Sequence, residues 1–283
     1  MNAVKQVWKE EPALVAAGVF GFVLAAVCAV MIALQGAVIL PEGNLASALS
    51  FNAALGLFLI TTAFFVPLAG FSLRKRRIFR WSYIVFALYS YGAETIQNMR
   101  GFNPRYSQAG NTADTIIGGF FGLVAVLMIA YYIMLAWPFF KSRLLQERPL
   151  LTLGIRYGMA TTMLAFTGGL WMIALQGRYT GLEGNIIWFH GLGFHGLQMM
   201  PILALLLDGN GQMPRKRQHR LLHISGIAWL MSIVLIGWQT VLGHSVFYLN
   251  VLMGGSAILL IFWAAVFTAA CFAAWKSKRL GSF

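Results

Sequence analysis

The sequence predicts an all-α polytopic membrane protein, its eight transmembrane helices arranged as two parallel-repeat four-helix bundles. Three observations lead to that class. Apolar runs long enough to cross a bilayer recur along the whole chain, basic residues gather on one side of them, and residues 31–44 return at 172–185.

Of 283 residues, 59% are hydrophobic and 10% charged, where a soluble domain carries about 25% charged residues. Apolar runs of about 20 residues each match a hydrocarbon core of roughly 30 Å. They occupy 13–36, 45–70, 79–98, 114–139, 153–176, 185–207, 222–242 and 246–275. The first is too long for a signal-peptide core, and no small-residue cleavage site follows it, so it reads as a retained span. The second and sixth spans follow Glu42-Gly43-Asn44 and Glu183-Gly184-Asn185. In each motif glycine supplies a permissive backbone, and asparagine is placed to cap the next helix. The third and seventh spans follow the basic clusters Arg74–Arg77 and Arg215–Arg217. Cys28 and Cys271 fall inside the first and last spans, as small core residues without a disulfide framework or metal knuckle.

The net charge of +13 is not that of a nucleic-acid-binding surface, because of where the charges lie. Of 21 Lys and Arg, only Arg100, Arg105 and Arg178 stand on the side opposite the others. That bias assigns both termini to the cytoplasm and the protein to the cytoplasmic (inner) membrane. The basic clusters then face a lipid bilayer with anionic headgroups. Nucleic acid is not an expected partner. A homo-oligomer is compatible with the sequence and is not specified by it.

The repeat organises the rest. MIALQGAVILPEGN at 31–44 and MIALQGRYTGLEGN at 172–185 share nine of fourteen residues. The same offset carries Arg74-Lys75-Arg76 onto Arg215-Lys216-Arg217, and one residue of slippage carries Gln97 and Gly101 onto Gln239 and Gly243. Fixed-period self-similarity is the mark of a repeated unit, so the expected units are 1–148 and 149–283. Four spans is an even number, hence the repeats are parallel, related by an axis along the membrane normal. The matched polar residues Gln35 and Gln176, Glu42 and Glu183, and Gln97 and Gln239 fall in outer loops or near outer helix ends. They are candidates for ligand contact as well as for turn formation. Glu94, about 6 Å inside the third span, either pairs with Arg100, snorkels, or serves as a proton-accepting carboxylate. Ile236 stands at its place in the second unit, so the units diverge in role.

Two fused four-helix units with cytoplasmic termini and an outer polar zone resemble the heme A synthase family. Trp188-Phe189-His190 resembles its aromatic-x-His on the second helix of a unit, and Gln239-Thr240-Val241-Leu242-Gly243 its Gln-x-x-x-Gly closing the third. The resemblance covers the whole chain as architecture and some fifteen residues as motif. It implies heme held by histidines on the second and fourth helices of a unit. Here spans 2, 4 and 8 contain no histidine, and Ile187 stands where the family has glutamate. The resemblance therefore implies at most one porphyrin-like site, in the carboxy-terminal unit.

The residues themselves leave His190 and His195 open to two readings. One is a neutral imidazole bonded across helices to a carbonyl, Gln198 or Gln239. The other is ligation of heme, or of a soft divalent metal by His190. At 1.5 Å and 100° per residue the rings lie roughly 7 and 15 Å deep and about 140° apart, so they do not share one ligand atom. His190 is the better candidate, near the depth of His244 and with Gln239 on the adjoining span. His219 and His223 read as interfacial side chains. No phosphate-binding loop, paired CxxC, His-Glu-x-x-His or Gly-x-Ser-x-Gly elbow occurs. The expected function is an integral membrane protein with an outer-leaflet pocket in its second unit, heme-binding or redox-associated. A transporter, a lipid-handling protein and a scaffold or assembly subunit are the alternatives. Catalysis is not specified.

The orientation is testable directly. Cysteines at Ser107 and Ser277 should react with an impermeant thiol reagent from opposite sides of the membrane. Labelling of Ser277→Cys from outside intact cells would reverse the assignment.

Overall fold

The computed structural model describes residues 9–141, 148–210 and 213–280, with side chains to 276 in the last helix. The expected cytoplasmic ends of the chain, with Lys5 and the loop residue Arg143, lie outside the described residues. Eight α-helices are described: α1 Pro12–Gln35, α2 Leu45–Phe65, α3 Leu73–Met99, α4 Thr112–Lys141, α5 Pro149–Leu175, α6 Ile186–Asp208, α7 Arg215–Val241 and α8 Val251–Leu280. Two antiparallel pairs of two-residue strands join them, β1 Val38–Ile39 with β2 Gly43–Asn44 and β3 Tyr179–Thr180 with β4 Gly184–Asn185. All of the helices except α3 are long and apolar enough to cross a membrane. The chain is an all-helical, multi-pass membrane protein.

Helix ends differ from the apolar runs where polar chemistry overrides them. The clusters Arg74–Arg77 and Arg215–Arg217 were expected in loops, and they form instead the first turns of α3 and α7. Arginine and lysine are good helix formers whose long stems carry the charge outward. Helix α2 stops at Phe65, five residues before its apolar run ends, because Pro67 cannot continue the hydrogen-bond ladder. Val246–Asn250, expected inside the last span, form a loop before α8. The asparagine caps appear as expected. Asn44 Oδ1 accepts from the amides of Ala46 and Ser47, and Asn185 Oδ1 from that of Ile187.

Two compact units divide the chain between Pro138 and Phe139, inside α4. In the first, α1 and α2 approach backbone to backbone. A Cβ at Gly56 would stand 2.6 Å from the Gly18 carbonyl oxygen, so only glycine allows that distance, as small residues do in membrane helix pairs. Helices α3 and α4 are joined differently, by side chains acting as spacers. Tyr83 and Tyr89 hydroxyls donate to the carbonyls of Met128 and Ile117 at 2.9 and 2.7 Å, and Ser82 donates to the Tyr131 hydroxyl at 3.1 Å. At the basic end the buried Glu11 carboxylate is paired with both Arg76 and Arg80.

In the second unit the close pair is α5 with α6, where a Cβ at Gly158 would stand 3.0 Å from the Gly196 carbonyl oxygen. Helices α7 and α8 meet through Ser232 and Ser256, whose hydroxyls are 2.7 Å apart, and through the crossed rings of Trp229 and Trp263.

Candidate functional site

The polar residues of the first unit assemble at the end that carries the β1–β2 hairpin. Glycine 101, φ 84°, follows α3 and lets the hairpin dock, because a Cβ there would lie 2.1 Å from the Leu40 carbonyl oxygen. The Gly101 carbonyl accepts from the Glu42 amide at 2.7 Å. Asn98 adds a second tie, its Oδ1 accepting from the Asn44 amide at 2.8 Å.

Every carboxylate at this end is engaged. Glu94 is fully buried and pairs with Arg105 at 2.6 Å, and not with Arg100, which was one of the readings its position left open. Six residues along a helix turn about 600°, which carries Arg100 roughly 120° away from Glu94. Arg105 reaches it from the following loop, its guanidinium lying over the rings of Phe51 and Phe121 at 5.1 and 5.0 Å. Arg100 pairs with the buried Asp114 at 2.8 Å, and Gln97 Nε2 donates to the same carboxylate at 2.8 Å. Beneath them Asn52 donates to Thr95 at 2.9 Å.

Glu42 gathers the loop between α3 and α4. Its carboxylate accepts from the Ser107 hydroxyl and from the amides of Asn103, Gln108 and Ala109, at 2.6 to 3.2 Å. Partial burial works to raise its pKa, but these four donors outweigh that and hold the carboxyl below its ordinary range. Because Ser107 is one of them, the exposed Ala109 is the better place for an accessibility label. Gln35 is exposed at the end of α1.

The second unit repeats the docking chemistry without the acids. Gly243, φ 75°, offers its carbonyl to the amides of Glu183 and Gly184 at 3.0 Å. Gln239 is fully buried and spends its amide on the loop before α8. Nε2 donates to the Ser245 carbonyl at 2.9 Å, and Oε1 accepts from Asn250 at 2.7 Å. Gln176, φ 48°, caps α5 and is exposed, as is Glu183.

His190 is turned toward α5. Its Nδ1 lies 2.7 Å from the Ala165 carbonyl oxygen; a carbonyl only accepts, so Nδ1 carries the proton. The ring meets Phe194 edge-on at 4.8 Å, and a Cβ at Gly169 would come within 3.3 Å of it. Phe189 fills the space between α5 and α7, its ring 2.8 and 3.0 Å from where Cβ atoms of Gly168 and Gly237 would lie. Neither Gln239 nor His244 is hydrogen-bonded to His190. His244 is exposed and its ring lies 5.5 Å from that of Tyr248. His195 is exposed on α6, and His223 is exposed with its Nδ1 3.0 Å from the Tyr157 hydroxyl. Among the described residues no group of three or more His, Cys, Asp or Glu is placed to hold a metal ion.

These residues do not make the two-histidine site that the resemblance implies. His190 has its ring and tautomer fixed, as ligand histidines do, while α8 offers no imidazole. Sequence reasoning missed Asn52, Asn98, Arg105 and Asp114. Asp114 and Arg105 were discoverable, since the chain has only eight acidic residues and each one near membrane depth requires a counter-charge. The chain matches no family model, no curated protein and no solved structure.

Two outcomes follow from the first unit. Arg105→Met strands a buried carboxylate and should cost about 3–5 kcal/mol, measured by denaturant unfolding in micelles. In a Glu94→Gln background the same substitution should cost far less; equal costs would mean that the pair does not hold the loop. Glu42, with its folded pKa lowered, stabilises the fold above its ordinary pKa and loses that contribution as pH falls through the lowered value. The melting-temperature gap between wild type and Glu42→Gln should therefore be widest near neutrality and close in acid. A gap that widens in acid would contradict the assignment.

Proposed function

We propose that this chain is an integral membrane protein of two duplicated, parallel four-helix units, similar in architecture to the heme A synthases, with a one-histidine heme site at His190 in its second unit. The observation that carries the reading is the Nδ1 hydrogen bond from His190 to the Ala165 carbonyl at 2.7 Å. It makes Nε2 the basic nitrogen of the ring, the condition for ligating a metal centre. A heme bound there would supply one-electron chemistry.

The duplication is supported by like elements at like places. Val38 and Ile39 pair with Asn44 and Gly43 in one unit, and Tyr179 and Thr180 with Asn185 and Gly184 in the other, an offset of 141 throughout. The division of roles is supported by chemistry. In the first unit Glu94 and Asp114 are used up in ion pairs and Glu42 in loop hydrogen bonds, whereas Ile236 stands at the place of Glu94 in the second and the histidines are there.

A lipid-handling protein is the second reading. It is favoured by an open, largely apolar groove of about 280 Å³ along α3 in the first unit.

Protein purified from heme-replete cells should show a Soret band that His190→Ala abolishes with the fold intact. A band lost in His195→Ala and kept in His190→Ala would move the site to His195. A colourless preparation would end the heme reading and leave the second.

A further inference from the structure

The open groove along α3 has a shape that the tyrosine spacers explain. Tyr83 and Tyr89 hold α4 off α3 by the length of their side chains. The small residues Gly92 and Ala93 therefore face a gap, walled by Leu88, Ile96 and Ile117 and ending at Gln97. A Cβ at Gly92 would meet nothing within 4 Å. From Leu88 to Gln97 is nine helical residues, about 14 Å, close to the roughly 15 Å depth of one hydrocarbon leaflet. The groove is apolar along that depth and polar only at its hairpin end.

Beyond that end stands Arg100. Its Nη1 is held by Gln97 and Asp114, and its side chain is 44% exposed. A guanidinium has five N–H donors, and planar oxyanion recognition is what it does best. Its neighbours Gln97 and Asp114 fix its position, and phosphate is the anion that a bilayer presents at that level.

We propose that the first unit binds one phospholipid of the leaflet at its hairpin end, with an acyl chain in the Gly92 groove and the phosphate on Arg100. The site is separate from His190, and its existence does not depend on heme. The polar end of the groove sets the direction of the lipid.

The test uses the full-length protein in liposomes containing a phosphatidylglycerol with a photoactivatable diazirine on one acyl chain. Cross-links should concentrate on the 88–97 and 117 segments. Gly92→Leu, which fills the gap without a backbone clash, should reduce them at least several-fold while leaving the melting temperature unchanged. Ile96→Trp provides a second way to close the groove if Gly92→Leu folds poorly. Arg100→Gln should lower capture where Arg100→Lys largely keeps it. Cross-links spread evenly over the apolar helix faces and indifferent to both groove substitutions would mean annular lipid only, and would overturn the site. Capture that responds to the groove substitutions and not to Arg100→Gln would overturn the phosphate contact.

Discussion

Helix ends and the turns between them leave amides and carbonyls that need partners, and each unit meets that constraint with the same latch. A two-residue hairpin presents its amides to the carbonyl of a left-handed glycine that closes the third helix, Gly101 or Gly243. The hairpin in turn presents an asparagine that caps the second helix. Three helices are fixed at one point by a handful of backbone groups. The glutamine four residues before each glycine then reaches forward, Gln97 to Asp114 and Gln239 to the loop before α8. The fourth helix is tied to the same point.

On that shared frame both units press their first helix against their second through glycines, and they differ in the rest of the packing. The first uses charge, with buried Glu94 and Asp114 each meeting an arginine from outside its own turn. It also uses bulk, tyrosines standing between α3 and α4. The second joins α7 and α8 through serine hydroxyls and indole rings, and its His190 finds an acceptor on the neighbouring helix rather than in a loop. An ion pair holds its geometry by being removed from water. A glycine contact holds it by leaving no room to slide.

Spans, hairpin turns and caps were legible because each has a one-dimensional signature: apolar length, Glu-Gly-Asn, the repeat. Helix starts were less so, since Arg74–Arg77 and Arg215–Arg217 look like loop by polarity and yet continue the helix. Partners were the least legible. Arg100 is nearer to Glu94 in sequence than Arg105, and only helical phase combined with the path of the loop reverses the pairing. The direction of His190 depended likewise on which side of α6 Phe189 takes. A sequence shows that a buried polar group requires a partner. The partner itself is chosen by rotation about helix axes, which no linear spacing between different helices records.

The low apolarity of α3 has a consequence for how the chain is made. Glu94 enters the membrane eleven residues ahead of Arg105, so during synthesis its counter-charge is still in the exit path when the helix is ready to leave it. A carboxylate without its arginine makes α3 a poor guest for lipid on its own. Insertion of α3 together with Arg105 and α4 would bring the carboxylate into lipid already paired. The tyrosines that separate the two helices in the finished protein would then be closing around a pair that had been side by side from the start.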